Sequence, residues 1–203
     1  KNIPSVSIDS IKTLMKTNYT SQMISYIRLY TFDGDQLLSK YTTNHCRVSF
    51  NLIKFYHYRY GEFNKQEYTG NLIPLTLMDT EKYIAAYMDN FVHQLKQAFV
   101  IRLPQTMVVY RGIKAGLEYL KDGIIFIANH FMSTTMDVQM AMNYSGQDGQ
   151  MLTIIIPINT IICPILEYSQ YDNENEILLD CGSRFLVISA ERKRPILLML
   201  GNS

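Results

Sequence analysis

Apolar positions along the chain follow two different periods, and the change falls near Pro104. Before it the spacing is helical. In "SIDSIKTLMK" the Ser and Asp residues offer caps, and Ile8, Ile11, Leu14 and Met15 follow three and four apart. Residues 5–70 read as mainly helical, with breaks. "TFDGDQ" (31–36) reads as a turn. "CRVSFNLIKFYHYRYGEFNKQEYTG" (46–70) reads as a second helical stretch, ending near Gly61 or Gly70. The clearest helix spans 79–101, capped by Asp79 or Thr80. Its apolar face is Tyr83, Ile84, Tyr87, Met88, Phe91, Leu95 and Phe99, a stripe that reads as core packing.

After Pro104 the pattern shortens to runs of strand length. They are "MVVYR" (107–111), "IIFIA" (124–128), "MLTIIIPI" (151–158), "EILLD" (176–180), "RFLVIS" (184–189) and "PILLML" (195–200). "KDG", "SGQDGQ", "CGS" and "ERKRP" separate them as turns. Residues 137–144 read as one short helix between strands. Helices first and strands afterwards predict an α+β fold with the strands in two packed sheets. The expected organisation is one domain, 1–203. Residues 1–103 form a mainly helical part and 104–203 a mainly β part.

Composition narrows the class. The chain has 203 residues, 47% hydrophobic and 18% charged, which is globular rather than disordered. A net charge of +1 supplies no global field for nucleic acid or an acidic membrane, so no nucleic-acid partner is expected. Cys46, Cys163 and Cys181 are far apart, and His45, His57, His93 and His130 lack ligand spacing, so no metal is expected. No apolar run is long enough to span a membrane, and no signal peptide opens the chain as given.

Three short stations carry the candidate chemistry. In "VVYRGI", Arg111 stands at a strand end before Gly112, so a guanidinium and a bare backbone can approach a phosphate together. In "FMSTTMD", the hydroxyls of Ser133, Thr134 and Thr135 follow Phe131. That stretch reads equally as a strand or a helix cap. In "YDNENEILLD", Glu174 and Glu176 stand two apart before an apolar run. In an extended chain they would share a face, about 6–7 Å apart. Such a face is either plain solvent or the seat of something cationic.

Taken in this order and spacing, the stations resemble the mono-ADP-ribosyltransferases of the Arg-Ser-Glu class, which include bacterial toxins and vertebrate ecto-enzymes. The resemblance covers 104–190. It rests on "MVVYRG", on "F-x-S-T-T", and on "S-x-Y-x-x-E-x-E-I-L-L-x-x-G-S-x-F" from Ser169 to Phe185. "EYTG" (67–70) is similar to the family's upstream helix region. Two departures stand out. Thr135 replaces the usual serine, and "NLIPLTL" stands where the family has Asn-x-x-Leu-Arg.

The resemblance implies NAD as co-substrate, bound in a cleft between two sheets of a single catalytic domain. It implies that Arg111 holds the phosphates and Gly112 offers backbone to the nicotinamide amide. Phe131, Thr134 and Thr135 complete the cofactor side. Ser133 orients Glu176, and Glu176 holds the ribose 2′-hydroxyl while the glycosidic bond breaks. A carboxylate aimed at the developing positive charge favours the transition state over the ground state. Glutamate at 174 implies arginine as acceptor, with Glu174 drawing off its proton. Tyr171 either packs against the target protein or is a half-buried loop residue. The implied partner is a target protein bearing an arginine. The implied setting is a secreted or delivered toxin or effector acting in a cytoplasm. A NAD glycohydrolase on the same scaffold and an inactive interaction module remain alternatives.

Overall fold

The computed structural model describes residues 6–49, 52, 77–114, 117, 120–169 and 174–200. Helix α1, Ile8–Asn18, opens at Ser7, whose Oγ accepts from the Ser10 amide and satisfies one orphan N–H of the first turn. Ile11 and Met15 are its buried stripe. Helix α2, Ser21–Leu29, is capped in the same way by Thr20.

The expected turn at 31–36 is instead helical. One π-helical turn, Tyr30–Gly34, joins α2 directly to α3, Asp35–Thr43. Gly34 is in the right-handed region, so it does not break the helix. Its lack of a side chain serves packing. A Cβ there would stand 2.6 Å from the Leu29 carbonyl oxygen and 2.8 Å from the Phe91 ring.

Phe91 belongs to α4, Leu77–Lys96. The helix starts two residues before the expected Asp79 cap and stops before 101. Ile84, Met88, Phe91 and Leu95 are buried, whereas Tyr83 points outward at 55% exposure. Phe99 lies past the helix end and stacks on Phe131 with centroids 6.0 Å apart. Of the second helical stretch expected over 46–70, residues 46–49 are turn and coil instead and Leu52 is helical; the rest of it, with the "EYTG" match, lies outside the described residues.

Nine strands follow among the described residues. They are β1 Ile101–Arg102, β2 Met107–Ile113, β3 Ile125–Ile127, β4 Met132–Thr135, β5 Gln150–Ile156, β6 Ile161–Pro164, β7 Glu176–Leu179, β8 Arg184–Ser189 and β9 Ile196–Leu200. Helix α5, Val138–Ser145, stands between β4 and β5, as expected. The hydroxyl stretch is thus a strand, and its helix cap is supplied by Asp137. The strand order is β1-β6-β7-β4-β2-β5-β9-β8-β3. Only β5 and β9 run parallel; the other neighbours are antiparallel.

The ladder nearly divides in the middle. β2 and β4 share a single residue pair, Tyr110↔Thr135, while β2 and β5 share seven. Two half-sheets therefore meet at one seam. Two apolar clusters pack against them. One gathers α1 with Val109, Ile154, Phe185 and Leu197. The other gathers α2, α3 and α4 with Phe131, Cys163 and Leu178. β7 lies between the clusters: Ile177 and Leu179 enter the first and Leu178 the second. That is why "EILL" is buried at every position, as a strand covered on both faces must be.

Candidate active site

The seam is where the three stations meet. Past Tyr110 the β2–β4 ladder stops, and the Arg111 guanidinium crosses the gap. Its Nη1 donates to the Ser133 carbonyl at 2.5 Å. Ser133 in turn sends its Oγ–H to Glu176 Oε1. Register explains the second contact, since Ser133 pairs with Leu178 and Thr135 with Glu176, on adjacent strands. Three residues far apart in sequence thus form one connected chain, and all three line one cavity of about 280 Å³. A second lobe of about 240 Å³ shares Tyr30, Asp35, Arg111 and Ser133 with the first and adds Lys40, His130 and Phe131.

The remaining hydroxyls hold the acidic strand in place. Thr134 Oγ1 donates to the Ile177 carbonyl and Thr135 Oγ1 to the Glu174 carbonyl, each at 2.6 Å. Both hydroxyl protons are committed to protein, so what these threonines offer a ligand is oxygen lone pairs. Phe131 is buried between the Tyr30 and Phe99 rings and supports the second lobe from behind.

Glu174 and Glu176 both face the cavity, but not by strand alternation. Glu174 precedes β7, and Asn175 between them is left-handed at φ 44°. The extended-chain spacing therefore does not apply, because the chain turns there. Tyr171 lies outside the described residues.

Charge around the first lobe is lopsided. Asp35, Glu174 and Glu176 supply three carboxyls against the single guanidinium of Arg111. Burial pushes the Glu176 carboxyl up to about 8, with Glu174 and Asp35 adding to the rise and Arg111 opposing it. Burial lowers the Arg111 pKa, while Tyr30 and Glu176 raise it. Burial also raises Tyr30, with Glu176 and Asp35 adding to it, so its phenol stays protonated. His130 is lowered by burial and by Arg111, which favours a neutral imidazole.

Sequence reading missed Tyr30, Thr31 and Asp35 altogether. They come from the π-helical turn and the start of α3, and they line the cavity together with Arg111 and Glu176. In the structure the π turn is the signal, since such a turn inside a helical run often marks a functional site. The sequence does not show it, because "FDGD" has turn composition. Tyr144 of α5 was missed too; its hydroxyl donates to Glu174 Oε1 at 2.6 Å.

The donor set suits a ligand that is anionic in one part and cationic in another. A half-buried guanidinium faces the anionic part, and a buried carboxyl with acidic neighbours gains from the cationic part. NAD, with its pyrophosphate and its cationic nicotinamide ring, has that character. Among the described residues, no group of three or more His, Cys, Asp or Glu side chains is placed to hold a metal ion. No helix among them is long and apolar enough to cross a membrane.

Fold and site together define an ADP-ribosyltransferase. A family model described as "ART: NAD:arginine ADP-ribosyltransferase" matches residues 78–200, more than half of the chain, and the chain belongs to that family. Its fold is that of ADP-ribosyltransferase toxins. The toxin Plx2a from Paenibacillus larvae superposes with a TM-score of 0.63 at 13% identity, covering 97% of this chain and 98% of that one. C3stau2 from S. aureus, solved with NAD, gives 0.60 at 15% identity, covering 100% and 99%. The Vis toxin from Vibrio Splendidus gives 0.57 at 16% identity, covering 98% and 88%. No curated protein matches the sequence.

Proposed function

We propose that this chain moves ADP-ribose from NAD to an arginine side chain of a target protein and releases nicotinamide. The observation that carries the reading is the acidic cavity in which Glu174 stands beside a Glu176 tied through Ser133 to Arg111. Arg111 binds the pyrophosphate, and Gly112 offers backbone to the nicotinamide amide. Phe131, Thr134 and Thr135 frame the cofactor side. Glu176, oriented by Ser133, accepts from the ribose 2′-hydroxyl and stabilises positive charge on the sugar as the C1′–N bond breaks. The bonding pair leaves with nicotinamide. Glu174 orients the incoming guanidinium and takes the proton released when its nitrogen bonds to C1′. That help matters because a guanidinium, with a pKa above about 12, is a poor nucleophile while protonated.

The whole of 1–203 then acts as one catalytic domain. Its partner is a protein bearing the acceptor arginine, and its setting that of a secreted or delivered toxin or effector acting in a cytoplasm. Incubating the protein with a cell lysate and biotin-NAD, followed by mass spectrometry, tests the reading. The expected result is ADP-ribose on arginine. ADP-ribose on another residue type would overturn the acceptor assignment. Release of nicotinamide without any labelling would make the protein a glycohydrolase. Neither signal would leave an inactive module.

Two single-site predictions follow from the connected chain. Arg111→Ala raises KM for NAD, because a charge-assisted contact to phosphate contributes about 1.5–3 kcal/mol. Arg111→Lys recovers part of this, since it restores the charge but not the fork. Titration calorimetry with NAD reads both, and wild-type affinity in Arg111→Ala would refute the phosphate role. Ser133→Ala lowers kcat more than it raises KM, because the side chain touches Glu176. A wild-type kcat in that variant would show that Glu176 needs no such support.

A further inference from the structure

The geometry points to Tyr144 as the residue that positions Glu174 for a guanidino acceptor, a role that rests on the arginine-transfer reading above. Glu174 lies outside any strand. Its main chain is held by Thr135 Oγ1 on the Glu174 carbonyl, and the following turn by the Met136 amide on the Asn175 carbonyl. Those contacts fix where the residue begins, not where its carboxylate points. The direction is set by Tyr144, whose hydroxyl donates to Oε1 at 2.6 Å, within the range of a charge-assisted O–H···O⁻ bond.

Tyr144 is itself placed by close packing. Asp137 caps α5, and the helix lies so near β2 that Gly112 has no room for a side chain. A Cβ there would stand 2.2 Å from the Ala141 carbonyl oxygen, 2.6 Å from the Ser145 nitrogen and 2.8 Å from Tyr144 Cβ. The strand that carries Arg111 thus seats the helix that aims Glu174. Tyr144 is also 52% exposed at the cavity rim, the side from which a protein acceptor enters.

The chemical consequence is selective. With Oε1 engaged by Tyr144, Oε2 is the oxygen that meets a guanidinium N–H and receives its proton. Tyr144 keeps its own proton throughout. A planar, forked acceptor needs a carboxylate held in one direction. Water is small, enters in many orientations and needs no such alignment. Tyr144 therefore biases the partition between transfer to arginine and hydrolysis.

Tyr144→Phe tests this, since it keeps the Cβ packed at Gly112 and the ring, and removes only the hydroxyl. Agmatine serves as the guanidino acceptor and nicotinamide release without acceptor reports hydrolysis. The expected result is a fall of about tenfold in kcat for agmatine modification, the scale of one charge-assisted hydrogen bond, with a much smaller fall in hydrolysis and an unchanged KM for NAD. Glu174→Gln is run beside it. Wild-type transfer in Tyr144→Phe, with transfer lost in Glu174→Gln, overturns the Tyr144 role and leaves Glu174 in place. Wild-type transfer in both overturns the acceptor reading itself. Parallel loss of transfer and hydrolysis in Tyr144→Phe shows that the hydroxyl merely seats α5, and overturns the positioning role.

Discussion

Glu176→Gln abolishes protein labelling and NAD hydrolysis together, by a hundredfold or more. Losing a pre-organised charge from a desolvated site costs about 2.7 kcal/mol or more in the barrier, and that converts to this factor. The glutamine amide still accepts a hydrogen bond from Ser133, so the fold around it is kept while the charge is lost. The wild-type carboxyl adds a pH dependence, because it is held near 8 by burial and by its acidic neighbours. Only the ionised form stabilises a developing cation. kcat/KM in the wild type therefore rises with pH and levels off above about 8, as the free enzyme's essential carboxylate ionises. A rate that is flat from pH 5 to 9, or a Glu176→Gln variant that still hydrolyses NAD, removes Glu176 from the chemistry.

The same carboxyl makes a stability prediction of definite sign. Its folded pKa of about 8 lies above the ordinary value of 4.5. Below 4.5 the group is protonated in both states and adds no penalty. Between 4.5 and 8 the unfolded chain releases the proton and the folded one keeps it, so stability falls as pH rises. The slope is at most about 1.4 kcal/mol per pH unit. Glu176→Gln removes that titration. Its Tm advantage over wild type should grow from pH 5 to pH 8, as thermal melts at several pH values would show. Burying such a group at a cost to stability is typical of a catalytic position.

What was legible in the sequence was whatever depends on neighbours along the chain. Alternating burial in β2 and the doubly covered β7 announced themselves as "MVVYR" and "EILLD", since short apolar runs between turn clusters have few other solutions. Arg111, Ser133 and Glu176 were legible through their order and spacing. β1 and β6 were not: β1 has only two residues, and β6 ends in Pro164, a residue that argues against a strand in the interior of a sheet. The helical contribution to the cavity was illegible for a different reason. Tyr30 and Asp35 reach it only because α2 runs through a π turn into α3, and local composition at Phe32–Asp35 argues for a loop. Packing of Gly34 on Phe91, a contact 57 residues distant, overrides that preference. The Tyr144–Glu174 bond was equally hidden, since it depends on how closely α5 lies on Gly112.

Glu174→Gln separates the two acids that the cavity brings together. The isosteric change keeps an acceptor oxygen for Tyr144 but cannot take a proton from a guanidinium. Transfer to arginine should fall by about a hundredfold or more, a hundredfold being the lower end of the range for losing a general base. Hydrolysis should fall far less, because water reaches the sugar without a carboxylate to align it and Glu176 still stabilises bond breaking. Removing one of three carboxyls around Arg111 also relieves Glu176, whose rise owes part of its size to Glu174. The acidic limb of hydrolysis should therefore shift to lower pH in Glu174→Gln, opposite to any effect of a simple loss of fold. Agmatine transfer and nicotinamide release, followed from pH 5 to 9 on the same preparation, read both effects. Hydrolysis lost as completely as in Glu176→Gln would merge the two acids into one catalytic role. Full transfer to agmatine would return Glu174 to an ordinary rim charge, and arginine would cease to be the acceptor that the cavity selects.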